Sequence, residues 1–139
     1  MGKDENCIFC KIVDGIIPSK SVMETENCIV VLDAFPATKG HVLIVTRDHK
    51  ETLVDMTDAE LSDVAKLMRD VGSAVKKATG CDGINFVNNL GEAAGQKIMH
   101  AHFHILPRYE NDSVVMTFQQ LKLTEEEADS LVKSIKAEL

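Results

Sequence analysis

Three of the five histidines, His100, His102 and His104, alternate with Ala101, Phe103 and Ile105 in the run Met99 to Pro107. In an extended strand successive side chains point to opposite faces, so this spacing sets three imidazoles on one face above an apolar underside. A helix would spread them, because positions two apart diverge on it. Neighbours in such a row lie roughly 6.5–7 Å apart, close enough to work on one phosphate or one metal ion. Each ring titrates near neutrality and can serve as nucleophile, proton carrier or ligand.

Attack on phosphorus needs an uncharged nucleophile held in one tautomer through its other ring nitrogen, and a histidine on a rigid strand meets both demands. The stretch Asn89 to Gln96, with Gly91 and Gly95, leads directly into the run. Its glycines let backbone N–H groups approach phosphate oxygens; the plain alternative is an ordinary hairpin turn. A rival reading gathers His100, His102 and His104 around a catalytic ion, but the acidic residue that usually accompanies such a set is missing. Cys7 and Cys10 have the C-x-x-C spacing with which two thiolates grip one tetrahedral ion, its remaining soft ligands being histidines. A redox pair is the competing reading, weakened by the absence of a strand-then-helix context. Cys28 and Cys81, in or beside apolar runs, read as core thiols.

The elements that must position these groups follow from patterning. Cys7 to Val13 reads as a short helix capped near Asn6 and ended by Asp14-Gly15. Lys20 to Glu24, Cys28 to Asp33 and His41 to Thr46 read as three strands of an antiparallel meander. Thr57 and Glu60 form a capping box, and Leu61, Val64, Ala65, Met68, Val71 and Val75 follow at helical spacing up to Gly80. Ile84 to Asn88 is a fourth strand, the histidine run a fifth, and Thr124 with Glu127 caps a C-terminal helix over 124–139. The order predicts an α+β fold: a mostly antiparallel five-stranded sheet, one long helix packed on it, and short N- and C-terminal helices.

At 139 residues the chain is expected to be one domain, 1–139, with a polar tail over 1–6. A net charge of −7 without a cluster of lysines and arginines argues against nucleic acid as the partner. Met1 to Asn6 carries no signal-peptide run or myristoylation pattern, and no segment reaches the length of a membrane span. With four cysteines, that reads as a cytoplasmic protein with reduced thiols.

The run His100-Ala101-His102-Phe103-His104-Ile105-Leu106, with Gly95-Gln96 before it and Gly40-His41 upstream, resembles the signature of the histidine-triad (HIT) nucleotide hydrolases and transferases. The likeness extends from Cys7 to about Tyr109. The resemblance implies that His102 takes the nucleotidyl group covalently, with His104 and His41 completing the polar lining and Asn89 and Gln96 joining the catalytic set. It places Asp33 against ribose hydroxyls, Ile8, Phe9 and Ile12 against the base, and Gly95, Gln96 and Lys97 along the phosphates. Lys97 stands where many members have Ser or Thr, Val31 and Ala34 replace bulkier residues, and no tryptophan is available to a C-terminal tail. Members with an early C-x-x-C imply one structural zinc per chain, held here by Cys7, Cys10, His49 and His100, and no catalytic metal. The implied enzyme is a purine nucleoside phosphoramidase-like hydrolase working as a homodimer on a purine mononucleotide or nucleotide conjugate. Asn89 favours that branch over the dinucleoside polyphosphate hydrolases; a non-catalytic nucleotide-binding zinc protein is the remaining alternative.

Overall fold

The β-branched run Cys28–Leu32 forms β2, which in the computed structural model pairs antiparallel with β1 (Ser21–Glu24) and with β3 (Val42–Thr46). The structure describes residues 3–139; Met1 and Gly2 of the expected tail lie outside the described residues. The far edge of β3 takes β5 (His102–Arg108), and β4 (Gly83–Val87) lies beyond it, giving the order β1-β2-β3-β5-β4, antiparallel throughout. This is the α+β architecture expected from the pattern. The last two strands are placed in an order that hydropathy does not encode, β5 entering between β3 and β4.

One face of the sheet is covered by α2 (Asp58–Thr79). Thr57 accepts the Glu60 N–H while the Glu60 carboxylate accepts the Thr57 N–H, and Gly80 ends the helix in the left-handed conformation. Val64, Leu67, Val71 and Val75 pack against Val30, Ile44, Phe103 and Ile105. The stripe differs from expectation at two positions: Leu67 is buried, and Ala65 faces water. A Cβ at Gly72 would lie 2.9 Å from the Phe86 ring, so glycine there lets β4 approach α2. No helix among the described residues is long and apolar enough to cross a membrane.

The opposite face carries Ile29, Val31, Leu43 and Val45, and onto it fold Cys7, Phe9 and Cys10 of the short helix α1 (Ile8–Val13) and its cap. The cap is Cys7 rather than Asn6, and its side chain makes no capping bond. A six-residue helix without a cap is held by tertiary packing. Residues 3–6 of the polar tail are exposed, and Lys3 and Asp4 contact the rest of the chain. Lys3 Nζ donates to the Arg47 carbonyl at 2.6 Å and pairs with Asp14 at 3.4 Å, and the Asp4 N–H reaches Cys10 Sγ at 3.3 Å.

His100 departs from the expected row. It precedes β5 in a bend whose N–H closes back on the Ile98 carbonyl at 2.9 Å, while the next N–H, of Ala101, goes to the Lys50 carbonyl at 2.6 Å. Only His102 and His104 therefore stand on the strand. At the other end, α3 (Glu125–Ala137) has the expected Thr124/Glu127 capping box but leaves Leu131, Val132 and Ile135 exposed. The stretch before it exposes Val115, Phe118 and Leu121 as well.

Candidate active site

Strand register decides which groups meet. His102 lies opposite Val45, and His104 lies opposite Leu43 and Val87, which puts both rings on the α1 side of the sheet with centroids 5.1 Å apart. Phe9 meets His102 edge-on at 4.8 Å. The hydrogen bonds then assign the protons. His102 Nδ1 lies 2.7 Å from the His100 backbone carbonyl, and a carbonyl only accepts, so Nδ1 carries the hydrogen. In a neutral ring the lone pair is then on Nε2. Burial pushes His102 below the ordinary histidine value, partly opposed by the bond to His100, so the ring is neutral near pH 7.

The same accounting runs through the neighbouring pair. His41 Nδ1 accepts the Ala37 N–H at 3.1 Å, so its hydrogen sits on Nε2, which faces His104 Nδ1 at 2.9 Å. His104 therefore accepts at Nδ1 and carries its own hydrogen on Nε2. Burial takes His104 down to about 4, helped by the neighbouring histidines, and Asp33 pulls the other way. Asp33 Oδ2 is 3.5 Å from His41 Nε2, and its other oxygen accepts the Phe35 N–H at 2.9 Å. One ring thus offers a lone pair and its neighbour an N–H. That is the pairing a nucleophile and a donor to a departing atom require.

The second cluster lies at the start of the same segment. Cys7, Cys10, His49 and His100 place one ligand atom each within 4.8 Å of one another, three of the four residues being buried. His100 donates from Nε2 to the Thr46 carbonyl at 2.8 Å, leaving the Nδ1 lone pair 3.4 Å from Cys7 Sγ and 3.5 Å from Cys10 Sγ. His49 Nδ1 is 3.4 Å from Cys10 Sγ. Bond lengths of about 2.3 Å to sulfur and 2.1 Å to nitrogen at a tetrahedral angle give sulfur–nitrogen separations of about 3.6 Å, so the four donors fit a closed tetrahedral site. Burial pushes the Cys10 thiol up, and a cation between the two sulfurs is what would hold them as thiolates. Asp33, His41 and His104 also approach one another, but the hydrogen on His41 Nε2 blocks ligation there. Gathering all three triad rings around one ion also fails, since His100 turns its free nitrogen to the cysteines.

The loop before the triad is built around Gly95, in the left-handed region at φ 101°, where a Cβ would come within 3.4 Å of the Asn89 amide. Gln96 is buried and commits its amide to backbone: it accepts from Gly91 at 2.8 Å and donates to Glu51 and Ile98 carbonyls at 2.7 and 3.1 Å. Lys97 is exposed and, with Glu92, Gly95 and Met99, lines an open cavity of about 600 Å³. Ile12 packs against the α1-side core, whereas Ile8 is half exposed. Two residues escaped the sequence reading. Thr46, fully buried, orients His100, and Asn88 Nδ2 donates to the His102 carbonyl at 3.0 Å. A lone hydroxyl ending an apolar strand, and an Asn before Asn89, were the only signals available.

A family model described as the HIT domain matches residues 14–111. An uncharacterized HIT-like protein of Methanocaldococcus jannaschii is 45% identical over 130 residues, 94% of this chain and 98% of its own. An Arabidopsis thaliana protein named adenylylsulfatase is 36% identical over 138 residues, 96% of this chain and 70% of its own. A Schizosaccharomyces pombe protein named adenosine 5′-monophosphoramidase is 32% identical over 136 residues, 92% and 99% of the two chains. The crystal structure of a Bacillus subtilis HIT family member superimposes with a TM-score of 0.92 at 35% identity, covering 97% of this chain and 98% of that one. A zinc-bound histidine-triad protein from Mycobacterium smegmatis matches with a TM-score of 0.73 at 28% identity, covering 96% and 97%.

Proposed function

The chain belongs to the HIT domain family, and from that premise we propose that it hydrolyses purine nucleoside phosphoramidates or related nucleotides at the α-phosphate through an adduct on His102. The observation that carries this reading is the His102 tautomer: Nδ1–H is spent on the His100 carbonyl, and the lone pair is on Nε2. In the first step that lone pair forms the N–P bond while the bond from phosphorus to the leaving group breaks. The leaving atom takes its electrons and a proton from solvent, steadied by the hydrogen bond that the His104 Nε2–H donates to it. His41 and His104 stay neutral throughout, each keeping the tautomer that their 2.9 Å contact fixes. In the second step water attacks phosphorus, the N–P electrons return to His102 Nε2, and the proton shed by water passes to solvent, replacing the one taken by the leaving group. The sum is nucleotide conjugate plus water giving nucleotide plus protonated leaving group.

Relatives named adenosine 5′-monophosphoramidase and adenylylsulfatase support an adenosine nucleotide with a variable leaving group. In this reading Phe9, Ile8 and Ile12 carry the base, Asp33 the ribose, and Asn89, Gly95 and Lys97 the phosphate and leaving group. Gln96 contributes by holding the loop in shape. Cys7, Cys10, His49 and His100 would hold zinc, one per chain, which when bound supplies a cross-link between α1 and the segments of the two histidines. The active species is a homodimer of one-domain chains in the cytoplasm; the exposed apolar side chains of residues 115–135 support a second copy as their cover. Mass spectrometry of enzyme quenched within milliseconds of mixing with adenosine phosphoramidate tests the mechanism. A nucleotidyl mass on the peptide containing His102 is expected; release of AMP without any such adduct would overturn it. No AMP from phosphoramidate, adenylyl sulfate or diadenosine polyphosphates would leave a binding protein.

A further inference from the structure

A single residue separates the two clusters. His100 presents its ring to the cysteines and its backbone carbonyl to His102 Nδ1, the latter at 2.7 Å. The far side of the same ring is anchored on the Thr46 carbonyl at 2.8 Å. Between them Ala101 is 1% exposed, with its N–H on the Lys50 carbonyl, next to His49, and its carbonyl accepting the Thr46 N–H at 3.5 Å. From the other side Phe9, flanked by Cys7 and Cys10, meets His100 at 5.8 Å and His102 at 4.8 Å. Besides the His104 ring at 5.1 Å, the His102 ring has two local supports, a carbonyl and an aromatic edge. These two belong to residues within or between the cysteine-histidine ligands.

We infer that the Cys7/Cys10/His49/His100 cluster positions the nucleophile: a cation held there fixes the His100 carbonyl and the Phe9 ring, and these hold His102 with Nε2 aimed outward. The segment 98–100 is a bend outside the sheet, and the peptide that carries that carbonyl is pinned by its Ala101 N–H to the Lys50 carbonyl, next to His49. Ligation of the His100 and His49 rings would hold both ends of that contact. Losing the cation releases carbonyl and Phe9 together, and the His102 ring then exchanges its tautomers and turns. The cluster is a positioning shell rather than a brace for the fold alone. This inference rests on the reading of His102 as nucleophile, but its structural part, the tautomer, can be observed without turnover.

The test uses the full chain with ¹⁵N-labelled histidine, stripped by a chelator and then titrated with zinc or with cobalt(II), whose thiolate absorption reports occupancy. Two measurements accompany each point: the His102 ring nitrogen shifts, and the rate of adduct formation from adenosine phosphoramidate. In stripped protein that keeps its amide dispersion, the His102 signals should show mixed tautomers, and the adduct should form about 10- to 100-fold more slowly. Both should recover in proportion to occupancy, with kcat moving more than KM. A single Nδ1–H tautomer with an undiminished rate in stripped, folded protein overturns the inference. If stripping unfolds the chain, metal-loaded Ala101→Gly decides, because it loosens the link while retaining ligands and nucleophile. Mixed tautomers and slowed adduct formation in that variant support the coupling; wild-type values in both refute it. Absence of any adduct in loaded wild type refutes the nucleophile reading instead, and the tautomer shifts still decide the coupling.

Discussion

In the proposed mechanism His104 steadies the departing atom, and its Nε2–H is dictated by two neighbours: the Ala37 N–H orients His41, and His41 orients His104. His104→Ala should therefore lower kcat by roughly 100- to 1,000-fold on a phosphoramidate, the usual contribution of one positioned donor to developing charge. The loss should shrink on a substrate whose leaving group departs without a proton, which comparison with a nitrophenyl ester of AMP measures. Acid should also destabilise the protein through this ring. Its native value, about 4, lies below the ordinary 6.5, so the unfolded chain binds more protons between the two. Its contribution is complete above pH 6.5 and is lost progressively as pH falls towards 4. Urea midpoints of wild type should fall across that window, and His104→Asn should flatten the slope; an equal slope in the variant would remove the assignment. In the sequence these roles were visible as residue types. The Ala37 N–H was not, because backbone donors carry no residue signal.

At the level of elements, α2 and the sheet face beneath it belong to stability alone. Thr57→Ala removes the N-terminal capping bond of α2 and should cost about 1 kcal/mol, or about 2–4 °C in Tm for a chain of this size, leaving kcat unchanged. Calorimetry beside turnover checks both halves. This helix was legible to its last residue because its signals are local: a capping box at the start, a glycine at the end, an apolar period between. The Ala65/Leu67 exchange shows the limit, since both residues border the stripe and only the sheet's position chooses. The histidine run shows it more sharply. Alternation predicts a strand through His100, but the Lys50 carbonyl, fifty-one residues before Ala101, captures the Ala101 N–H, and the strand begins only at His102.

Across the whole molecule, one contiguous α1-side face carries both clusters, and the C-terminal arm stands away from it with its apolar residues in water. Elemental analysis of protein purified without added metal should find one zinc per chain, and Cys7→Ala should lose it together with several degrees of Tm. Zinc retained in that variant would exclude the proposed ligand set. Replacing Phe118 and Leu121 with serine should weaken self-association at least about tenfold in sedimentation, a change of about 1.4 kcal/mol. The class of fold was readable because strand period and helix caps are written locally; the C-x-x-C spacing marked two members of the Cys7/Cys10/His49/His100 cluster, and the two histidines came from the family resemblance. The pairing of β5 with β3, the buried Thr46 and the fate of the arm depend on distant partners, which no window of sequence contains.

The leading residues have a practical bearing. The Lys3 ammonium is clamped between the Arg47 carbonyl and Asp14, and the neighbouring Asp4 amide leans on the Cys10 sulfur. A purification handle fused ahead of Lys3 adds bulk close to these contacts and to the sulfur that the Asp4 amide touches. Preparations carrying the handle there should be easier to oxidise on storage than preparations carrying it behind α3.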